Sequence, residues 1–253
     1  MKYNIYSENE IKENNRLSKV YLEFYPAKDN APFALICPGG AYEIVSDFNE
    51  GKPFAQEFNK RGYNAFVLFY RVGADNADDL KPVYDLKRAV EFIKSKAGEF
   101  RINPNRFCLV GSSAGGHLCS YFTARYNAFE SDISLKPDCL VLAYPVITMF
   151  KKTHELSRRN FLGSFSDNKY KQADASVENL VNADFPPTFF WHNKDDGSVD
   201  CINSLLLKEA LEKYGVPNEC LLFEKGGHGI GLAEGYEAEG WMTKAIDFAD
   251  KYL

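Results

Sequence analysis

The stretch VGSSAGGHLCSYF, residues 110–122, decides how the chain is read. An apolar run ends at Val110, two serines follow among glycines, and a run with helical spacing begins. Gly111, Ser113 and Gly115 spell G-x-S-x-G at that strand-to-helix boundary, the context in which the motif holds a serine hydroxyl out on a sharp, strained turn. Both glycines are needed because a side chain at either would collide with neighbouring backbone. Only Ser113 has glycine two positions away on each side, so Ser112 is not the candidate. Taken alone, the same residues also describe a tight packing turn with a capping serine.

Outward from this stretch, strand-like and helix-like runs alternate, the pattern of a parallel sheet wrapped by helices. VYLEFYP (20–26) alternates and suits a partly exposed strand. FALICP (33–38), NAFVLFYR (64–71), NRFCLVG (105–111), DCLVLAYPV (138–146), PTFFWHN (187–193) and ECLLFEK (219–225) are short and nearly continuous in apolar residues, as strands buried on both faces require. Helical spacing marks 51–62, 80–100, 113–126, 201–215 and 241–253; within 80–100, Val83, Leu86, Val90 and Ile93 make one apolar face. The interval 148–184 is polar and irregular, long for a plain connection, and reads as a lid or cover insertion. With no repeat and no linker, the expectation is one domain over 1–253.

A serine hydroxyl needs a base, usually histidine, oriented by a carboxylate. His228 lies in KGGHGIGL just after the last strand-like run, where its ring can reach across the carboxyl edge of a sheet. His117 is too close to Ser113 along the helix to swing back, and reads as packed or surface. For His154, in the irregular interval, and His192, at a strand end, a structural role is the default. The acid belongs at the end of the preceding strand, where FFWHNKDDGSVD offers Asp195 and Asp196. Asp196 is preferred because it directly precedes the turn GSV; Asp200 reads as a cap of the following helix. Ser113, Asp196 and His228 thus stand in the order Ser, Asp, His, each just past a strand end, where open α/β sheets place their ligands. ICPGGAY (36–42) follows another strand end and offers the amides of Gly40 and Ala41, joined by that of Ala114, to a developing oxyanion. Tyr42, Tyr144 and Trp191 fall near the expected mouth as candidate substrate contacts.

With 45% hydrophobic and 26% charged residues, the 253-residue chain has the composition of a globular protein, and its formal charge of −5 argues against a nucleic-acid partner. The N-terminus lacks the apolar core of a secretory signal and no stretch approaches a membrane span, so the expected location is the cytoplasm, without a membrane partner. The six cysteines form no C-x-x-C pair or Cys/His ligand spacing, and neither a metal nor a disulfide framework is expected.

The segments CPGGAY, GKPFAQEFNKRGYNAFVLFYRV, DLKRAVEFI, GSSAGGHL, FFWHNKDDGSV and FEKGGHGIGL, in this order, resemble the α/β-hydrolase superfamily. Within it they are similar to the acetyl xylan esterase-like group near the hormone-sensitive-lipase-like esterases. That resemblance implies an α/β-hydrolase fold: an eight-stranded, mostly parallel sheet with an antiparallel second strand and helices on both faces. It implies Ser113 as nucleophile, Asp196 as acid, His228 as base, and Gly40, Ala41 and Ala114 as oxyanion donors. It further implies a serine esterase with no cofactor, acting on a small ester such as an acetylated sugar. The chain departs from the group in reading Pro38, Gly39, Gly40, Ala41 where many members have His-Gly-Gly-Gly, and in carrying Asp200 where proline is common. Two other readings stand beside it: a serine peptidase of the prolyl-oligopeptidase type, which normally carries a large gating domain, and a hydrolase-fold binding protein without turnover.

Overall fold

The computed structural model describes residues 1–73 and 77–253. Eight strands run as β1 (Lys2–Asn4), β2 (Tyr21–Tyr25), β3 (Ala31–Cys37), β4 (Asn64–Phe69), β5 (Ile102–Ser112), β6 (Cys139–Ala143), β7 (Thr188–Asn193) and β8 (Asn218–Phe223). They form one sheet in the order β1-β2-β4-β3-β5-β6-β7-β8. β2 is antiparallel to both neighbours, and every pair from β4 to β8 is parallel. All seven strand-like runs are strands; the three-residue edge strand β1 is an addition to them.

The two faces of the sheet feed separate cores, and the strands divide their side chains with period two. Phe33 and Leu35 of β3, Phe107 and Leu109 of β5 and Leu140 and Leu142 of β6 enter one core. Helices Lys81–Ser95, Ser113–Arg125 and Ile202–Lys213 close that face with Val83, Leu86, Val90, Ile93, Leu118, Phe122 and Leu207. Ala34 and Ile36, Cys108 and Val110, and Cys139 and Val141 enter the other, under helices Lys52–Lys60 and Trp241–Ala249. Burying a Leu, Phe or Val fully is worth about 1.5–3 kcal/mol, so these continuous apolar runs are most stable where both faces are covered.

The turn from β5 into helix Ser113–Arg125 shows why glycine stands there. A Cβ on Gly111 would lie 2.4 Å from the Gly115 carbonyl oxygen, and one on Gly115 would lie 2.0 Å from the Cys37 oxygen and 2.5 Å from that of Pro38. Ser113 itself takes a left-handed conformation, φ 51°, which costs a non-glycine residue about 1–3 kcal/mol unless its surroundings enforce it.

The interval 148–184 folds into helices Glu155–Leu162 and Lys169–Ala175 with short 3₁₀ turns. It is pinned to the body. Asn203 Oδ1 accepts from the amides of Ile147 and Thr148 at 2.9 and 3.1 Å and Asn160 Nδ2 donates to the Ala41 carbonyl at 2.9 Å, while within the interval the Met149 amide donates to Ser176 Oγ at 2.8 Å. His117 is buried where this interval meets the sheet: its Nε2–H donates to the Ala175 carbonyl and its Nδ1 accepts from the Tyr42 hydroxyl, both at 2.8 Å. Burial disfavours the charged ring and, although the Ala175 carbonyl opposes it, lowers the His117 pKa to about 4. No helix among the described residues is long and apolar enough to cross a membrane.

Gly115→Ala should destabilise the fold by about 2–3 kcal/mol through overpacking against backbone that cannot yield. Gly98→Ala, where nothing lies within 4 Å of the added atom, should be neutral or stabilising by up to about 1 kcal/mol; denaturant midpoints compare the two. Because His117 titrates near 4 when folded and near about 6.5 when unfolded, its contribution is complete above the unfolded value and is lost as pH falls between the two. Urea denaturation should therefore show the wild type losing about 2 kcal/mol between pH 7.5 and pH 5 that His117→Gln does not lose.

Candidate active site

Three chain segments that end at the carboxyl edge of the sheet meet at Ser113. Ser113 Oγ lies 2.9 Å from His228 Nε2, and His228 Nδ1 lies 2.6 Å from Asp196 Oδ2. Sequence separations of 115 and 32 residues are closed by the parallel order of β5, β7 and β8, which ends all three strands on one side.

Asp196 and Asp195 have separate tasks. Asp196 Oδ1 accepts from the amides of Ser198 and Val199, each at 2.9 Å, which leaves Oδ2 for the imidazole. His192 lies behind it: Nε2–H donates to the Val199 carbonyl at 2.8 Å with Asp196 Oδ2 at 3.2 Å, and Nδ1 accepts from Ser204 Oγ at 2.8 Å. Burial pushes the Asp196 carboxyl up, but hydrogen bonds from His192 and His228, the charge on His228 and the Val199 amide more than reverse this and hold it well below the usual carboxylate range. Asp195 Oδ1 instead accepts from the amides of Gly226 and Gly227, each at 2.9 Å, and so anchors the loop that presents His228. Asp200 accepts from the Ile202 amide at 3.0 Å and pairs with Lys152, but the cap position of helix Ile202–Lys213 is Cys201, which makes no side-chain cap bond.

Gly40, with φ 117°, and Ala41, with φ 58°, turn the chain after β3 toward the serine. Ala114 is the second residue of its helix, where amides have no intrahelical partner. Among the described residues no protein acceptor takes the amide hydrogen of Gly40, Ala41 or Ala114, and Gly40 and Ala41 line the same cavity as Ser113. The neighbouring Gly39 amide is different: it donates to Glu50 Oε2 at 2.7 Å.

A cavity of about 410 Å³ opens over the serine, bordered by Gly40, Ala41, Ile44 and Glu50, by His154 and Leu156 from the 148–184 interval, and by Ser198 and His228. The aromatic residues expected at its mouth are not there. Tyr42, Tyr144 and Trp191 are all fully buried. Tyr42 bonds His117, Trp191 packs against Tyr144 and Trp241, and the Tyr144 ring lies edge-on behind His228 with centroids 4.9 Å apart. Apolar strand ends gave no measure of depth, and these rings belong to the layer beneath the site. Conversely, His154, given a structural default from the sequence, borders the cavity with Nδ1 held 2.9 Å from Ser157 Oγ. Burial and the proximity of His228 lower its pKa, so it favours the neutral form. Glu50 had no motif to mark it; it ends the four-residue helix Asp47–Glu50 and is the one buried residue in it.

Comparison with known proteins places the chain in a family. Residues 20–211 match the BD-FAE family. The chain is 34% identical over 215 residues to endo-1,4-beta-xylanase B of Butyrivibrio fibrisolvens, covering 82% of this chain and 34% of that protein. Over 216 residues it is 32% identical to an acetylxylan esterase of Xylanibacter ruminicola, covering 83% of this chain and 43% of the other. The crystal structure of an acetyl ester-xyloside bifunctional hydrolase from Caldicellulosiruptor lactoaceticus superposes with a TM-score of 0.89 at 32% identity, over 99% of this chain and 96% of that one. The chain thus spans between about a third and a half of the length of the curated relatives it matches. With a matching family domain, an eight-stranded α/β-hydrolase sheet and these neighbours together, the chain belongs to the BD-FAE family, within the esterase group of the α/β hydrolases.

Proposed function

We propose that the chain is a serine carboxylic-ester hydrolase that works through an acyl-enzyme on short-chain acyl esters, with O-acetyl groups on sugars or xylo-oligosaccharides as the leading substrate class. The observation that carries this reading is the hydrogen-bonded line from Ser113 Oγ through His228 to Asp196, at 2.9 and 2.6 Å, on the floor of a cavity bordered by free backbone amides. The relatives named for acetylxylan esterase and acetyl ester hydrolase activity support the substrate class.

In this mechanism His228 Nε2 takes the proton from Ser113 Oγ as the oxygen attacks the ester carbonyl. The carbonyl electron pair moves onto its oxygen, where the amides of Gly40, Ala41 and Ala114 stabilise the charge; each such donor is typically worth about 10²–10³ in turnover. Asp196 keeps Nδ1 protonated and supports the imidazolium. The tetrahedral intermediate collapses, His228 gives its proton to the leaving alcohol, and an acyl-Ser113 ester remains. Water then enters, His228 removes its proton, and a second tetrahedral intermediate releases the carboxylic acid and restores the serine. Every bond in this cycle is made or broken by protein groups and water, so no metal or organic cofactor is invoked. His154 and Leu156, held on the packed 148–184 cover, limit the space beside the serine and favour a small acyl group.

Ser113→Ala should lower p-nitrophenyl acetate hydrolysis by at least about 10³-fold and abolish labelling by a fluorophosphonate; equal rates for variant and wild type would refute the assignment. Across acetylated xylo-oligosaccharides, longer-chain acyl esters and short peptide amides, kcat/KM should be highest for the acetylated sugars. Asp196→Asn should cost about 10⁴ in kcat because the imidazole is then held in the wrong tautomer, whereas Asp195→Ala should cost only severalfold; a larger loss at Asp195 would exchange the two roles.

A further inference from the structure

The short helix Asp47–Glu50 lies between the two loops that must cooperate at the serine. On one side Glu50 Oε2 accepts from the Gly39 amide at 2.7 Å, directly before the oxyanion turn. On the other, Glu50 Oε1 accepts from the Tyr144 hydroxyl at 2.8 Å, and the Tyr144 oxygen in turn accepts from the Gly231 amide at 3.1 Å, in the loop that carries His228. The Tyr144 ring packs edge-on against the imidazole. A second tie runs beside the first, since Asn49 Nδ2 donates to the Gly229 carbonyl at 2.6 Å. A Cβ placed on Gly39 would touch both Glu50 Oε2, at 2.8 Å, and Ser113 Cβ, at 2.9 Å, so carboxylate and nucleophile flank the same glycine.

Glu50 is only 2% exposed, and no lysine or arginine among the described residues pairs with it. A buried carboxylate without a cation costs several kcal/mol and persists only where its lone pairs are satisfied. The two donors that satisfy this one belong to the two halves of the catalytic centre. We infer that Glu50 is a positioning residue: it joins the oxyanion turn to the base loop through Gly39 on one side and Tyr144 and Gly231 on the other, and so fixes the spacing between the oxyanion amides and the imidazole. This inference rests on the serine-esterase reading above. It also explains why the oxyanion donors begin at Gly40, because the Gly39 amide is already occupied.

The experiment measures kcat and KM on p-nitrophenyl acetate, with thermal denaturation as a check of folding, for Glu50→Ala, Glu50→Gln, Tyr144→Phe and the double variant Glu50→Ala/Tyr144→Phe. A misplacement of about 1 Å costs on the order of 10²-fold, so Glu50→Ala should lower kcat by about 10- to 100-fold while KM moves less than about threefold. Glu50→Gln should return kcat to within severalfold of wild type, since its amide oxygen can accept from Gly39 and its NH₂ can donate to the Tyr144 oxygen. Tyr144→Phe keeps the ring against His228 but cuts the link, and should lower kcat by about tenfold; the double variant should be no worse than the poorer single one, because both break one chain of bonds. Wild-type kcat in folded Glu50→Ala or in Tyr144→Phe overturns the proposal, as does a loss confined to KM, a loss that Gln does not repair, or additive losses. If Glu50→Ala does not fold, Glu50→Gln and Tyr144→Phe decide. Failure of the underlying reading looks different, because wild-type protein would then neither hydrolyse the ester nor take a fluorophosphonate label.

Discussion

The Gly115 backbone approaches the carbonyl oxygens of Cys37 and Pro38 so closely that a Cβ there would lie 2.0 and 2.5 Å from them. It lets the start of helix Ser113–Arg125 sit directly against the end of β3, which pairs with β5 from Phe33↔Phe107 to Cys37↔Gly111. From that contact the rest of the site follows. The first amides of the helix, with the positive end of its dipole, lie beside the turn Pro38–Ala41, so donors from two distant segments converge without any side chain reaching for the other. One methyl group at 115 would separate them.

The same contact concentrates backbone strain. Ala41, Tyr42, Ser113 and Tyr144 all adopt positive φ without being glycine, and each such residue costs about 1–3 kcal/mol where nothing enforces it. What enforces them is identifiable. Asn160 bonds the Ala41 carbonyl, His117 bonds the Tyr42 hydroxyl, the Val146 amide bonds the Ser113 carbonyl, and the Tyr144 amide bonds the Trp191 carbonyl. Asn160 belongs to the 148–184 cover, and His117 also bonds Ala175 within it. The segment that looked like an insertion is therefore part of what keeps the turn at Ala41 and Tyr42 in its strained form.

The parts legible in the sequence were those with a backbone-level cause. Continuous apolar runs such as FALICP and NAFVLFYR read as strands because both faces of the sheet are covered, and G-x-S-x-G was informative because the spacing of its glycines is dictated by collisions. Chain order and strand ends were enough to bring Ser113, Asp196 and His228 within reach of one another. Depth was not legible: Tyr42 and Tyr144 follow strand ends like the catalytic candidates, and Trp191 lies within β7, yet all three point into the cores, and hydrophobicity alone does not separate a pocket wall from the layer behind it. Nor was β1, three residues long and paired only with β2, since no period can be recognised over so short a run. His154 and Glu50 were hidden for a related reason, because their importance arises from contacts with segments far away in the chain rather than from any local pattern.

Two buried carboxylates near one imidazole show how local donors decide what a charge can do. Asp196 accepts two backbone amides on one oxygen and faces His228 and His192 with the other, and this set outweighs its burial and holds its carboxyl well below the usual carboxylate range. Glu50 has one amide and one phenol. Burial raises its carboxyl, and the Tyr144 hydroxyl, the Gly39 amide and the charge on His228 only partly oppose this. Fewer donors mean weaker support for the anion, and in the proposed mechanism a strong negative charge beside the amides of Gly40 and Ala41 would oppose the charge developing on the substrate oxygen. On the proposed reading the electrostatic role calls for a carboxylate at Nδ1 whose donors outweigh its burial, and the geometric role calls only for an acceptor at the right place between two loops.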